Sequence, residues 1–257
     1  MAELMNIALV QFGLFWEAPE QNRDHLDIVL EGITSTTDLI VLPEMFTTGF
    51  TMHPENIRKE EGQKTLKWMQ KWAGIKNSAL TGSIVFEKDG SFTNRLFFVH
   101  PNGKTEQYDK KHTFTLAGES DAYKAGNKKL IVDYMGFKIC PLICYDLRFP
   151  VWSRNLENYD VLLYVANWPK PRINAWDILL KARAIENMTY CIGVNRIGTD
   201  KVGHEYSGHS AVYDSLGEPL VFSENEEVIY ATLSKEHISA TRQKLKFLND
   251  MDNFTFA

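Results

Sequence analysis

Three residues of this 257-residue chain could do chemistry and stand where a strand stops: Cys144, Glu44 and Lys110. A cysteine can attack as a nucleophile, a carboxylate near the core can act as a base, and an ammonium can receive developing negative charge. Together such groups could supply a nucleophile, a base and a partner for developing negative charge. Cys144 ends the apolar run 137–143 and enters Tyr145-Asp-Leu-Arg-Phe-Pro150, which cannot continue the strand past Pro150. Strand ends are where α/β proteins place reactive groups. The competing reading is a buried small hydrophobe, since free cysteine is among the most buried residue types. Cys140 and Cys191, inside apolar strands, take that second reading. Glu44 follows the nearly continuous apolar strand 38–43, so its carboxylate is expected close to the core, where burial moves a carboxyl group towards a working general base. The alternative is a surface glutamate that merely terminates the strand. Lys110, in Tyr108-Asp-Lys-Lys-His112, follows a strand and could equally belong to a solvated charge pair.

Other chemistries find no support. The chain contains no Walker-type loop, no G-x-G-x-x-G, no H-E-x-x-H and no C-x-x-C. Cys140 and Cys144 are spaced C-x-x-x-C with no further ligand at a suitable distance in sequence, so no metal and no cofactor are expected. Gly208-His-Ser-Ala-Val212 lacks the final glycine of a nucleophile elbow and reads as a set of strand residues. Against 28 Lys+Arg stand 33 Asp+Glu, a net charge of -5 spread along the chain, which offers no footprint for nucleic acid or anionic lipid. A small-molecule substrate is expected instead. No apolar run approaches the ~20 residues of a spanning helix, and the N-terminus lacks a basic region followed by a long apolar stretch. Three cysteines, an odd number with no pairable framework, imply a reducing compartment, a cytoplasmic location and at least one free thiol.

The elements that must position these residues alternate. A strand at 6–11 precedes a helix opened by Pro19, with Leu26, Val29, Leu30 and Ile33 at helical spacing. After strand 38–43 come a helix at 65–76 and strands at 79–87, 95–100 and 105–108, separated by turn sequences that suggest antiparallel neighbours. Strands 130–133 and 137–143, a possible helix after Pro150 and strand 160–166 follow. Trp176, Leu179, Leu180 and Ala184 mark the apolar face of the next helix. Strands 189–195, 207–213 and 228–233, a helix at 235–247 and an aromatic tail at 253–257 complete the chain. With no linker or repeat, a single α/β domain over 1–257 is the economical expectation.

Taken together, Pro43-Glu44, Tyr108-Asp-Lys110-Lys-His112 and Ile143-Cys144-Tyr-Asp-Leu-Arg148 resemble, in order and context, the nitrilase or carbon-nitrogen hydrolase superfamily, over essentially the whole chain. The resemblance implies an α-β-β-α sandwich that dimerises through its outer helices, and a catalytic triad of Glu44, Lys110 and Cys144. A further family glutamate matches Glu119 in Ala117-Gly-Glu-Ser-Asp-Ala-Tyr-Lys-Ala-Gly126. The stretch Cys144-Tyr-Asp-Leu-Arg-Phe-Pro150 with Trp152, Asn167-Trp-Pro-Lys-Pro-Arg172, residues 176–187 and Gly193-Val-Asn-Arg196 look like the omega-amidase branch, which deamidates 2-oxoglutaramate and 2-oxosuccinamate. His112-Thr-Phe114 departs from the usual His-Leu-Phe and touches the pocket wall.

On that resemblance, Glu44 is expected to take the thiol proton, Lys110 and the Tyr145 backbone N–H to receive the oxyanion, and Glu119 to hold Lys110. The ammonium is also expected to favour the thiolate. A short dicarboxylic monoamide needs a partner for its far carboxylate, and a guanidinium binds one in bidentate fashion. Arg172 is the candidate, with Trp168, Phe50 and Phe114 as walls; an exposed loop arginine is the alternative. Arg148 is expected to brace the nucleophile's turn, and Arg183 to pair with Glu186 along a helix. A nitrilase, an N-carbamoyl amidohydrolase, an aliphatic amidase and a non-catalytic relative remain rival readings.

Overall fold

The computed structural model describes residues 3–34, 36–252 and 254–255, so Asn253, Phe256 and Ala257 of the expected tail lie outside the described residues. In chain order the elements are β1 (Leu4–Gln11), α1 (Pro19–Glu31), β2 (Leu39–Val41), α2 (Glu61–Lys76), β3 (Ala79–Lys88), β4 (Ser91–Val99), β5 (Thr105–Asp109), α3 (Glu119–Ala122), β6 (Val132–Tyr134) and β7 (Phe137–Ile143). Then follow α4 (Pro150–Ser153), β8 (Val161–Ala166), α5 (Ile173–Asn187), β9 (Tyr190–Asn195), β10 (Ile197–Thr199), β11 (Glu205–Ser207), β12 (Ser210–Tyr213), β13 (Pro219–Ser223), β14 (Glu227–Ser234) and α6 (Lys235–Leu245).

They build two six-stranded sheets, ordered β14-β1-β2-β3-β4-β5 and β13-β12-β9-β8-β7-β6. Each has three parallel strands at its heart, β1-β2-β3 in one and β7-β8-β9 in the other, with antiparallel flanks. Side chains of a strand alternate between its faces, and the two faces of the first sheet feed two different cores. Met5, Ile7 and Leu9 of β1, Leu39 and Val41 of β2 and Leu96 and Phe98 of β4 join Ile139, Ile143 and Val165 of the second sheet. The intervening Ala8, Val10, Ile40, Phe97 and Val99 pack on Leu26 and Leu30 of α1 and Met69 and Trp72 of α2. On the far side of the second sheet, α5 lies across Gly193 of β9. A Cβ there would fall 2.4 Å from Leu180 Cδ1 and 2.7 Å from Trp176, so only glycine admits the helix at this depth. The layers are therefore helix, sheet, sheet, helix, the α-β-β-α sandwich that the sequence implies.

Cys140 and Cys191 are fully buried, in register with Leu162 of β8, and serve as packing residues. The expected strand 207–213 breaks in two. Gly208 (φ 72°) and His209 (φ 61°) turn the chain in the left-handed region, so Glu205–Ser207 pairs with β10 in a separate hairpin while Ser210–Tyr213 stays in the main sheet. The helix expected from residue 65 starts at Glu61, whose carboxylate binds Arg23 at 3.0 Å, Arg58 at 2.5 Å and Lys64 at 3.3 Å. The helix expected after Pro150 is a single turn, and the last one stops at Leu245 because Lys246 adopts φ 56°. Among the described residues no helix is long and apolar enough to cross a membrane.

Candidate active site

Both parallel cores direct their C-terminal strand ends to one place. Glu44 follows β2, Cys144 follows β7 and Asn167 follows β8, while Lys110 is delivered from beside them by β5. This is the crevice at which open α/β sheets bind ligands. Glu44 and Glu119 are fully enclosed and Lys110 is 1% exposed. Lys110 Nζ donates to Glu44 Oε1 at 2.8 Å and to Glu119 Oε2 and Oε1 at 2.8 and 3.0 Å. Asn94 Nδ2 ties the same two carboxylates together, at 2.8 Å to Glu44 and 3.1 Å to Glu119. Glu44 Oε2 accepts the Asn167 N–H at 2.8 Å, and the Asn167 side-chain amide donates to the Glu44 carbonyl at 2.6 Å. Glu119 Oε2 accepts the Phe114 N–H at 2.5 Å. One ammonium thus shares two carboxylates in a water-poor cluster, each oxygen aimed by a fixed donor.

Cys144 stands at the junction of β7 with a helical turn, Cys144–Arg148, and holds φ 42°, a left-handed value that a β-carbon disfavours. Strain of this kind survives only where neighbours enforce it. Asp146 does much of the enforcing. Its buried carboxylate accepts the Ile143 N–H at 3.0 Å, the Tyr108 hydroxyl at 2.8 Å, and the His112 N–H and Nδ1 at 3.0 and 2.7 Å. The turn that begins at Cys144 is thereby fastened to the segment that carries Lys110. From the other side Arg183 pairs with Glu186 as expected and also donates to the Leu147 carbonyl at 2.7 Å. The Tyr145 amide is within the first three residues of the turn, whose N–H groups have no acceptor inside it. It is a donor beside the thiol.

The charges set the resting state. Burial alone would depress the Lys110 ammonium, but the Glu119 and Glu44 carboxylates outweigh it and hold the group above its ordinary 10.5, fully charged. Burial raises the Glu119 carboxyl above 4.5, with Lys110 opposing and Glu44 adding to the rise. Burial, and next the charge of Glu44, push the Cys144 thiol well above 9.0, against the opposite pull of Lys110. Lys110 pulls towards the thiolate as expected, but desolvation and the Glu44 carboxylate outweigh it and favour the thiol. The ultraviolet thiolate absorbance, taken as wild type minus Cys144→Ala, should be absent at neutral pH and appear only under alkaline conditions. A midpoint at or below about 8.5, the value of an unperturbed cysteine, overturns this resting state.

Above the thiol lies a pocket of about 360 Å³. Cys144, Lys110, Tyr145, Phe50, Phe114, Trp168 and Arg172 all line it, while Glu44 and Glu119 stand behind Lys110 and do not. The Lys110 ammonium is 5.0 Å from the Phe50 ring centroid, and the Trp168 indole donates to the Arg172 carbonyl at 2.8 Å. Three features escape sequence reasoning. Asn94 bridges the carboxylates, and its one signal is an amide in β4, two residues before the apolar run Leu96-Phe-Phe-Val99. The hairpin of β10 and β11 places Asp200, Val202, His204 and Tyr206 on the pocket. Arg148, expected to brace the turn, is exposed and lines the pocket instead.

Comparison with known proteins matches residues 6–243 to the carbon-nitrogen hydrolase family. The chain is 43% identical to an omega-amidase, YafV, of Escherichia coli K12, over 97% of this chain and 98% of the relative. It is 30% identical to a 2-oxoglutaramate amidase of Bacillus subtilis, over 95% and 96% of the two chains. Among solved structures, a CN-hydrolase superfamily protein of Xanthomonas campestris, determined with an arsenic adduct in its active site, superposes with a TM-score of 0.96 at 38% identity and 99% coverage of both chains.

Proposed function

The chain belongs to the carbon-nitrogen hydrolase family and is a hydrolase of carbon–nitrogen bonds, and from that premise we propose that it is an omega-amidase, releasing ammonia from short dicarboxylic monoamides such as 2-oxoglutaramate or 2-oxosuccinamate. The observation that carries the reading is a Lys110 shared by Glu44 and Glu119 beside Cys144, at the bottom of a pocket whose wall presents the Arg172 guanidinium.

In this reading Glu44 accepts the Cys144 proton as Sγ attacks the amide carbonyl. The oxyanion meets the Lys110 ammonium and the Tyr145 N–H, both already in place and needing no reorganisation. Glu44, now a carboxylic acid, hands its proton to the departing nitrogen. Ammonia leaves, and a thioester remains on Cys144. Water then enters, Glu44 takes its proton, and attack on the thioester carbonyl returns the acid product and the thiol. Glu119 and Asn94 keep Lys110 and Glu44 at hydrogen-bond distance throughout. Since the resting group is a thiol, the base is essential to the first step. The family's dimer would form on the outer side of α5, where Ile178 and Ile185 are exposed.

Arg172 stands with its guanidinium carbon 5.2 Å from the Phe114 ring centroid, and its fork of donors suits bidentate capture of the far carboxylate. A panel of 2-oxoglutaramate, succinamate, a neutral aliphatic amide, an N-carbamoyl compound and a nitrile tests the reading, with ammonia as the readout. The two carboxylate-bearing amides should be preferred. Arg172→Leu should shrink that preference over the neutral amide by about 10- to 100-fold, the worth of a hydrogen bond to a charged group. Ammonia from the nitrile or the carbamoyl compound alone would assign the chain to another branch. An unchanged preference in Arg172→Leu would remove that residue from the pocket's recognition of substrate.

A further inference from the structure

The pocket above Cys144 has two sides. On one, the Phe114 and Tyr145 ring centroids are 4.9 Å apart, Arg172 lies over Phe114, and Trp168 donates to the Arg172 carbonyl. That side meets the acyl half of a substrate, because the Tyr145 N–H receives the oxyanion. The other side is built on the segment that leaves Glu44. There Phe50 lies against the Lys110 ammonium, and a β-carbon added to Gly49 would fall 3.3 Å from the Trp16 ring and 3.5 Å from Arg196 Nη1. The Arg196 guanidinium carbon is in turn 4.6 Å from the Tyr206 ring centroid. Trp16, Met52, Val202 and Tyr206 thus extend Phe50 into an aromatic and apolar wall, with Val202, 69% exposed, at its rim. The charged groups beside this wall already have partners. Asp200 accepts the Tyr206 hydroxyl and the Val202 and His204 amides, each at 2.9 Å, and His53 pairs with Glu55 at 3.0 Å. Size points the same way. A cavity of about 150 Å³ takes one benzene, so the roughly ten non-hydrogen atoms of 2-oxoglutaramate need about 250 Å³. The 360 Å³ pocket leaves on the order of 100 Å³ beyond that.

We infer that this second wall is a site for an apolar substituent on the amide nitrogen, so that the chain also hydrolyses N-alkyl amides of short dicarboxylic acids and releases the alkylamine. This rests on the omega-amidase reading and widens it. Glu44 protonates the departing nitrogen, so that nitrogen lies on the Glu44 side of the carbonyl carbon. Whatever it carries is directed along the segment that leaves Glu44, where the wall stands. The chemistry is otherwise unchanged. Cys144 Sγ bonds to the carbonyl carbon, the thiol proton passes through Glu44 to the nitrogen, and the C–N bond breaks to give the alkylamine and the thioester. One water then hydrolyses the thioester, and its proton returns through Glu44 to the sulfur. A nitrogen with one alkyl group still has, in the tetrahedral intermediate, the lone pair that Glu44 must protonate. A neutral alkyl chain suits the wall, since each buried CH2 is worth roughly a factor of four in binding. A chain that ends in an ammonium does not, because the wall offers it no free carboxylate.

The test follows ammonia or amine release from glutaramate, N-methylglutaramate, N-butylglutaramate and N-(3-aminopropyl)glutaramate in wild type, Trp16→Ala and Val202→Asp. In wild type kcat/KM should rise about tenfold or more from the N-methyl to the N-butyl amide, as three further methylenes meet the wall. The aminopropyl amide should stay near the N-methyl one. Both variants should lower the butyl-to-methyl ratio by at least about threefold and leave glutaramate turnover unchanged. Trp16 packs on Gly49, so Trp16→Ala can loosen the fold; Val202 is exposed, and Val202→Asp reads the same wall without that risk. Glutaramate turnover with no amine from either N-alkyl amide overturns the inference. So does a wild-type ratio near one, or a ratio that Val202→Asp and a folded Trp16→Ala both leave intact. A wild type that hydrolyses neutral butyramide as well as glutaramate defeats the omega-amidase reading instead, and the same ratio measured on N-methyl- and N-butylbutyramide then decides whether the wall receives the substituent.

Discussion

Cys144→Ala is expected to lower ammonia release from 2-oxoglutaramate by about 10,000-fold or more, because the substitution removes the atom that forms the intermediate and nothing else in the pocket can replace it. The other two cysteines are buried in the second sheet. Stability should change little. Alanine keeps the β-carbon, so the cost of φ 42° is the same for both residues, and the turn is held from outside by Asp146 and Arg183. Cys144→Ser is the sharper comparison. It preserves a hydrogen-bonding atom beside Glu44, yet Glu44 would have to deprotonate an alcohol, a far weaker acid than even a thiol raised by burial. Turnover should collapse while KM-like binding of 2-oxoglutaramate, measured calorimetrically, survives. Rapid quenching of wild type should reveal an acyl adduct on the peptide that contains Cys144, absent from both variants. Near-normal activity of Cys144→Ala would rule out the nucleophile assignment, and with it the thioester route.

The strand ends that carry Glu44 and Cys144 are legible in sequence because strands buried on both faces must be continuously apolar, and the run stops abruptly at Pro43 and at Tyr145. Lys110 is less so. Its neighbour Lys111 has the same charge but is half-buried and lies over the Trp152 ring, while Lys110 is enclosed. The difference is parity. Tyr108 points inward from β5, Asp109 is less buried, and the alternation carried two residues on turns Lys110 inward as well. Inward parity alone cannot say that two carboxylates wait there, since Glu44 and Glu119 arrive from segments 66 and 9 residues away. The hairpin of β10 and β11 is illegible for another reason. Three-residue strands carry too little alternation to register, and Gly208 with His209 interrupts what reads as one longer strand. Arg148 shows the limit most clearly: proximity to the nucleophile in sequence suggested a bracing role, but Asp146 and Arg183 already fill it, which leaves the Arg148 side chain free to face the pocket.

Lys110→Met should cost both activity and stability, and the second loss should depend on pH. Removing one oxyanion donor lowers kcat by about 100- to 1,000-fold. The fold suffers as well, because the buried Glu44 and Glu119 are left without the ammonium they share. Breaking a buried ion pair by deleting one partner costs about 3–5 kcal/mol, or roughly 10 °C in Tm for a chain of this size. In wild type the lysine's folded-state value is raised above 10.5, so its stabilisation is fully present below that pH and is lost only as the pH rises through the folded value. Wild-type Tm should therefore owe no pH dependence to this lysine between pH 5 and 8. In the variant the Glu119 carboxyl, already raised above 4.5 by burial, loses the ammonium that opposed the rise and favours protonation further. Protonation stabilises the folded state at low pH, and that gain disappears as the pH rises. The gap in Tm between wild type and Lys110→Met should thus narrow towards pH 5 and widen towards pH 8, while the loss of kcat persists throughout. A gap constant across that range would mean that the carboxylates do not carry the charge assigned to them. Unaltered kcat would mean that Lys110 does not receive the oxyanion.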